Sequence, residues 1–146
     1  MPTKARVKAI PDGYHTATPY LIVKGAAKAI DFYKAAFKAK ERMRMEAPGG
    51  RVGHAEIQIG DSRIMLADES PEVGARGPKT IGGSPVMLHL YVKDVDTVLE
   101  QAVAAGAKVC QRRGDLAAAG RSKSAAGMRK QEGPLEGAFL LAARHS

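Results

Sequence analysis

Cysteine is nearly absent from this 146-residue chain, which has Cys110 alone. No internal disulfide can form, and no cysteine zinc cluster. A lone cysteine at a strand end also reads as a packing residue rather than a nucleophile, because no local motif supports catalysis there. Tryptophan is missing, and aromatics make up 5% of the residues. That argues against a single-stranded nucleic-acid platform, which needs aromatics interleaved with basic side chains. No run of roughly 18 apolar residues occurs, so no segment reads as a membrane-spanning helix. The stretch MPTKARVKAIPDG is basic but has no apolar centre, unlike a secretory signal. VKGAAKA contains only Gly25 and lacks the spacings of a phosphate-cradling or dinucleotide loop. Together these absences lead to the expectation of a soluble, cytoplasmic protein.

What is present is ordinary for a globular chain, with 45% hydrophobic residues. The length suits one domain, or two small modules sharing a core. The formal net charge is +8. The basic excess is spread along the chain, with clusters at Lys4–Lys8, Arg112–Arg113 and Arg121–Lys130. One reading is a basic protein that binds nucleic acid or an acidic partner. The plainer reading is solvated surface and tails.

Residues 1–14 read as a flexible basic arm, since Pro2, Pro11 and Gly13 oppose regular structure. A strand follows at 16–23, with Thr18, Tyr20 and Ile22 on one face and Leu21 and Val23 on the other. Ala26, Ala29, Ile30, Tyr33 and Phe37 recur at helical spacing and predict a helix over 26–37. A second strand spans 39–46, with Met43 and Met45 alternating. VGHAEIQIG and SRIMLAD then form a hairpin around Gly60-Asp61. Residues 69–83 are Gly- and Pro-rich and read as a linker or surface loop.

SPVMLHLYVKDVDTVLEQAVAAGAKV, residues 84–109, repeats the strand–helix–strand phrase of the first half. Val86, Leu88, Leu90 and Val92 should face one side of its strand, and Met87, His89 and Tyr91 the other. Asp94 can cap the helix, whose buried face should be Val95, Val98, Leu99, Ala102 and Val103, with Gly106 ending it. The period of about 67 residues suits a pseudo-symmetric pair of modules rather than a solenoid. Residues 111–131 show almost no alternation, and 138–142 predict a closing strand.

TPYLIVKGAAKAIDFYKAAF, GHAEIQIGDSRIMLADE and GGSPVMLHLYVKDVDTVLEQAVAAGAKV resemble the vicinal oxygen chelate superfamily of glyoxalases, bleomycin-resistance proteins and extradiol dioxygenases, and its PhnB-like branch in particular. With the segments between them, these phrases cover about three-quarters of the chain. The resemblance implies an α+β fold of two βαβββ modules, whose curved mixed sheet wraps a cup. It divides the chain into the arm 1–14, a first module with its linker at 15–83, and a second module at 84–146. The second module is atypical at its C-terminal end. The family's DPFGH turn is replaced by EGPLEGAFLLAAR, which keeps Pro134 and the apolar strand, and 111–131 depart from the pattern altogether.

The resemblance also implies a divalent metal in the cup. Aligned by strand register, its ligand positions fall at Thr18, at Met65 or Leu66, at Met87 and at Leu140. A hydroxyl and thioethers do not hold a hard divalent metal tightly, so no metal and no cofactor are expected. A different triad, His54, Glu56 and His89, would need to converge to bind one. His54 and Glu56 are two apart on a strand and share a face; the plainer reading leaves the three as surface or partly satisfied groups, with His89 on a different sheet. His54, Glu56, His89 and Tyr91 are equally the candidates for metal-free acid–base catalysis, against a plain role as polar lining. His15 reads as a loop residue and His145 as part of the tail.

The cup's lining is expected from Tyr20, Ile22, Met65, Met87, His89, Tyr91 and Phe139, an adaptable apolar pocket with a few polar anchors. The alternative is that they only fill a core. The expected function is a metal-free small-molecule binder that sequesters an antibiotic or metabolite. A neutral or anionic ligand is favoured, because like charge disfavours cationic bleomycin. The alternatives are a glyoxalase-like metal-dependent lyase or related enzyme, and a basic nucleic-acid or acidic-partner binder. A homodimer is the expected assembly.

Overall fold

The computed structural model describes residues 6–107 in full and, by backbone alone, the strand segments 127–129 and 139–144. The first half runs β1 (Tyr20–Val23), α1 (Ala26–Phe37), β2 (Lys40–Ala47), β3 (Arg51–Ile59) and β4 (Ser62–Asp68). A 3-10 turn (Pro71–Val73) and the short helix α2 (Pro78–Ile81) lead to β5 (Leu88–Val92), α3 (Val95–Ala104), β6 (Gly127–Arg129) and β7 (Phe139–Arg144). The first sheet has the order β1-β4-β3-β2, and the second β5-β7-β6. In both, the strand before the helix pairs in parallel with the last strand of its half, β1 with β4 and β5 with β7. In both, that last strand pairs antiparallel with the one before it. The repeated phrase of the sequence is thus a repeated pairing scheme. The strand expected after Gly106 lies outside the described residues, as do Cys110, His145 and the basic clusters beyond residue 110 apart from the backbone of Arg129.

β1 begins at Tyr20 rather than at 16. Pro19 has no N–H to give a ladder, and only its carbonyl joins in, accepting from the Met65 N–H at 2.9 Å. Leu21 and Val23 turn toward the core while Tyr20 stays half exposed on the other face. β5 likewise starts at Leu88, so Val86 is 60% exposed instead of facing inward. The 69–83 segment is more ordered than a bare linker. Ser70 and Ala75 form a bridge, and Glu69 accepts the Gly77 N–H at 2.6 Å ahead of α2.

α1 buries a wider stripe than one face requires: Ala26, Ala29, Ile30, Phe32, Tyr33 and Ala36. The reason is that α1 has two neighbours, the first sheet and α3. Ala102 on α3 is fully buried, and Leu88, Leu90 and Leu99 pack against the same cluster. Both halves therefore share one core. α3 presents Val95 and Ala102 inward, but Val103 sits at the edge of its stripe and is exposed. Asp94 caps α3 as expected, accepting from the Thr97 N–H at 3.1 Å.

α1 has no cap from its own sequence, because Gly25 takes a left-handed conformation (φ 82°) that only glycine adopts freely. Asp68, at the end of β4, supplies the cap. Its Oδ1 accepts the N–H groups of Gly25 and Ala26 at 2.8 and 2.9 Å, and its Oδ2 accepts that of Val52 at 2.8 Å. One carboxylate thereby ties the helix start, β3 and the end of β4 together.

Candidate functional site

Because strands alternate, the first sheet has one face against α1 and one face open. Ala55, Ile57, Ile64 and Leu66 fill the covered face. On the other, the register sets a row across all four strands. Tyr20 lies beside Met65, Met65 beside Glu56, and Glu56 beside Met43. Ile22 is paired with Ala67, and His54 with Met45, in the adjoining row.

The polar members of this face form a hydrogen-bonded chain. Tyr20 Oη lies 2.8 Å from His54 Nδ1, with the rings 5.4 Å apart. His54 Nε2 lies 3.3 Å from Glu56 Oε1. The Tyr14 hydroxyl donates to Glu56 Oε2. Both His54 and Glu56 are largely covered, their side chains 22% and 18% exposed. A neutral His54 protonated at Nε2 donates to Glu56 and accepts from Tyr20. A protonated His54 donates to both. The face thus offers a fixed phenol, backed by an imidazole and a carboxylate, among methionine thioethers. Arg63 stands two residues before Met65 on β4, its Cζ 5.3 Å from the centre of the Tyr14 ring.

The expected site residues divide into two groups. Tyr20, Ile22, His54, Glu56 and Met65 come together on the first sheet. His89 and Tyr91 come together on β5, rings 4.8 Å apart, with Met87 just before the strand. Met87 and Tyr91 are 53% and 72% exposed. Phe139 pairs through its backbone with Arg129, and its side chain lies outside the described residues. Among the described residues, cavities adjoin β5 on two sides. One of about 600 Å³ lies between the β3–β4 turn and α3, with Phe37, Ile59, Tyr91 and Gln101 in its wall. A smaller one of about 170 Å³ lies between β5 and the approach to β1.

The donor set at the family's metal positions can be tested directly. Leu66 is fully buried on the covered face, so Met65 holds the fourth-strand position. Thr18 and Met87 offer a hydroxyl and a thioether, and the backbone of Leu140 pairs with Leu88. This set does not fit a hard divalent metal. Among the described residues no three His, Cys, Asp or Glu side chains stand close enough to hold one, so His89 does not join His54 and Glu56.

Sequence reasoning missed Tyr14, Arg63, Met43 and Met45. The two methionines were visible as an alternating pair. Tyr14 and Arg63 gave no periodic signal, because a contact across 42 residues between an irregular segment and a strand leaves none.

Two paired strand–helix–sheet units with a polar cluster on an open sheet face define a two-module α+β cup protein. The profile of the Glyoxalase/Bleomycin resistance protein/Dioxygenase superfamily matches residues 14–122, and the chain belongs to that superfamily. An uncharacterized protein of Mycobacterium bovis is 43% identical over 95 residues, which are 63% of this chain and 62% of the relative. The chain thus spans less than two thirds of that relative's length. A solved gene product of Arabidopsis thaliana has a TM-score of 0.68 at 22% identity, covering 89% of this chain and 98% of its own. The fosfomycin resistance protein FosX of Listeria monocytogenes has a TM-score of 0.61 at 14% identity, covering 90% and 93%. At these identities both structures establish the shared fold. No described helix is long and apolar enough to cross a membrane.

Proposed function

We propose that this protein binds a neutral or anionic small molecule on the open face of its first sheet, without a metal, in the manner of a sequestering protein. The observation that carries this reading is the Tyr20–His54–Glu56 chain set among Met43, Met45 and Met65. Two thioethers at the edge, exposed by 40% and 57%, give an adaptable apolar wall. The phenol and imidazole fix a ligand's orientation. The reading keeps 15–83 as the first module with its linker, 84–146 as the second, and a PhnB-like place within the superfamily. It includes a homodimer in which a second copy covers the exposed Met87 and Tyr91.

The test is a fragment screen of neutral and acidic aromatic compounds against methyl-labelled protein. Binders should move the Met43, Met45 and Met65 methyl signals, and His54→Ala should weaken them about tenfold, the loss of roughly one good hydrogen bond to a positioned group. Hits that leave all three methyls unmoved would overturn the reading.

The same chain supports a second reading, metal-free acid–base chemistry. Tyr20 would pass a proton to or from a bound carbonyl or hydroxyl compound, and His54 would take or return it while Glu56 steadies the imidazolium. Solvent deuterium exchange into a bound ligand, abolished by Tyr20→Phe, separates an enzyme from a binder.

A further inference from the structure

The small cavity between β5 and the approach to β1 has a chemistry that the open-face reading does not use. Five side chains able to donate hydrogen bonds line its wall of about 170 Å³: His15, Thr18, Ser62, Arg63 and His89. Among the described residues no Asp or Glu lines it, and the remainder is apolar. At roughly 30 Å³ of liquid volume per water, it has room for an oxyanion with part of its hydration.

Arg63 is held in position there. The Tyr14 ring lies against its guanidinium, and Gly13 approaches so closely that an added Cβ would come within 3.1 Å of Nη2. Its Nε is buried and meets no acceptor among the described residues. A buried guanidinium N–H without an acceptor costs free energy, and a side-chain shift that brings it to an oxyanion in the cavity would remove that cost. Arginine's planar fork matches carboxylate and phosphate geometry. Arg63 also shares the Met65 face of β4, and Tyr14 touches both Arg63 and Glu56, so the cavity's arginine and the open-face cluster meet at Tyr14.

We propose that this cavity holds the oxyanion end, a carboxylate or a phosphate, of the protein's small-molecule ligand. Arg63 is its main partner, with Thr18 and His89 as further donors; the Ser62 hydroxyl already donates to Asp61 Oδ1 at 3.2 Å. The proposal rests on the binding reading above and narrows it from neutral or anionic to anionic. The net charge of +8 favours encounter with such a ligand.

The test follows the Arg63 Nε–H signal in the full chain by NMR, assigned by its absence in Arg63→Lys. Inorganic phosphate and acetate are titrated separately at constant ionic strength set with chloride. A saturable shift with phosphate, acetate or both is expected, and the stronger response identifies the oxyanion. Monitored by the neighbouring backbone amides, Arg63→Met should bind the responding anion at least about tenfold more weakly, and Arg63→Lys should recover part of the loss. Thr18→Val leaves Arg63 in place and should weaken binding a few-fold, so a folding failure of Arg63→Met does not remove the test. No saturable shift with either anion, or unchanged binding in Arg63→Met, would overturn the proposal. If neutral aromatics still move the methionine methyls, only this inference fails. If they do not, the open-face reading fails with it.

Discussion

Asp68→Ala should be among the most damaging single substitutions outside the hydrophobic core. The carboxylate accepts three backbone N–H groups, two at the start of α1 and one from Val52. Without it, the helix end can turn to water, at the usual cost of a lost cap, about 1 kcal/mol. Val52 is 3% exposed, so its N–H has no such recourse. Leaving it unpaired adds ~1–3 kcal/mol. The sum is ~2–4 kcal/mol, which for a chain of this size lowers Tm by roughly 5–15 °C. Asp68→Asn separates the two contributions. Its amide oxygen can keep the helix-end bonds, but its NH2 group faces the Val52 N–H, donor against donor. Asparagine should therefore lose only the Val52 share, ~1–3 kcal/mol, about one half to three quarters of what alanine loses. Urea unfolding of the three proteins at neutral pH is the assay. An alanine variant within ~0.5 kcal/mol of the parent, the ordinary scatter of surface substitutions, would refute the reasoning. So would an asparagine variant as unstable as alanine.

Burial holds the Tyr33 hydroxyl without a partner among the described residues and pushes its pKa up to about 12. Tyr33→Phe should be neutral or stabilising by up to ~1 kcal/mol in the same unfolding assay. The raised value also means that Tyr33's contribution is complete below pH 10 and is lost as pH climbs from about 10 toward about 12, because the unfolded chain ionises first. Alkaline unfolding should therefore move to higher pH in Tyr33→Phe. Glu69 is held below its usual value by bonds from the Thr80 hydroxyl and the Gly77 N–H. Its stabilisation is present above the ordinary carboxyl value of 4.5 and disappears as pH falls through the lower folded value, a dependence that Glu69→Gln should flatten in an acid titration of stability. Leu66→Ala removes a fully buried side chain and should cost ~2–5 kcal/mol, read by urea unfolding.

Helix α1 was legible to the residue, since its stripe and Gly25 mark both its face and its start. The hairpin around Gly60 was legible from alternation. Alternation also put Tyr20 and Ile22 on one face and Leu21 and Val23 on the other, but left open whether Met65 or Leu66 joins them. It could not show how far each strand runs, because β1 stops where Pro19 lacks an N–H and β5 starts only after Pro85. His54 and Glu56 were legible as same-face neighbours two residues apart. Their partners were not. Tyr14 and Tyr20 approach them from the arm and from β1, and tertiary packing alone decides such contacts. The capping role of Asp68 was hidden for the same reason, because it acts on a helix 42 residues earlier.

The central claim is a small-molecule site built on Tyr20, His54, Glu56 and the methionine face, independent of a metal. Elemental analysis of the full chain, purified without chelator or affinity tag, joined to a methyl spectrum of the same sample with and without an acidic aromatic fragment, tests it most directly. The account predicts no stoichiometric first-row metal and saturable shifts of the Met43, Met45 and Met65 methyls. One metal per chain, lost on His54→Ala or Glu56→Gln and required for those shifts, would contradict it.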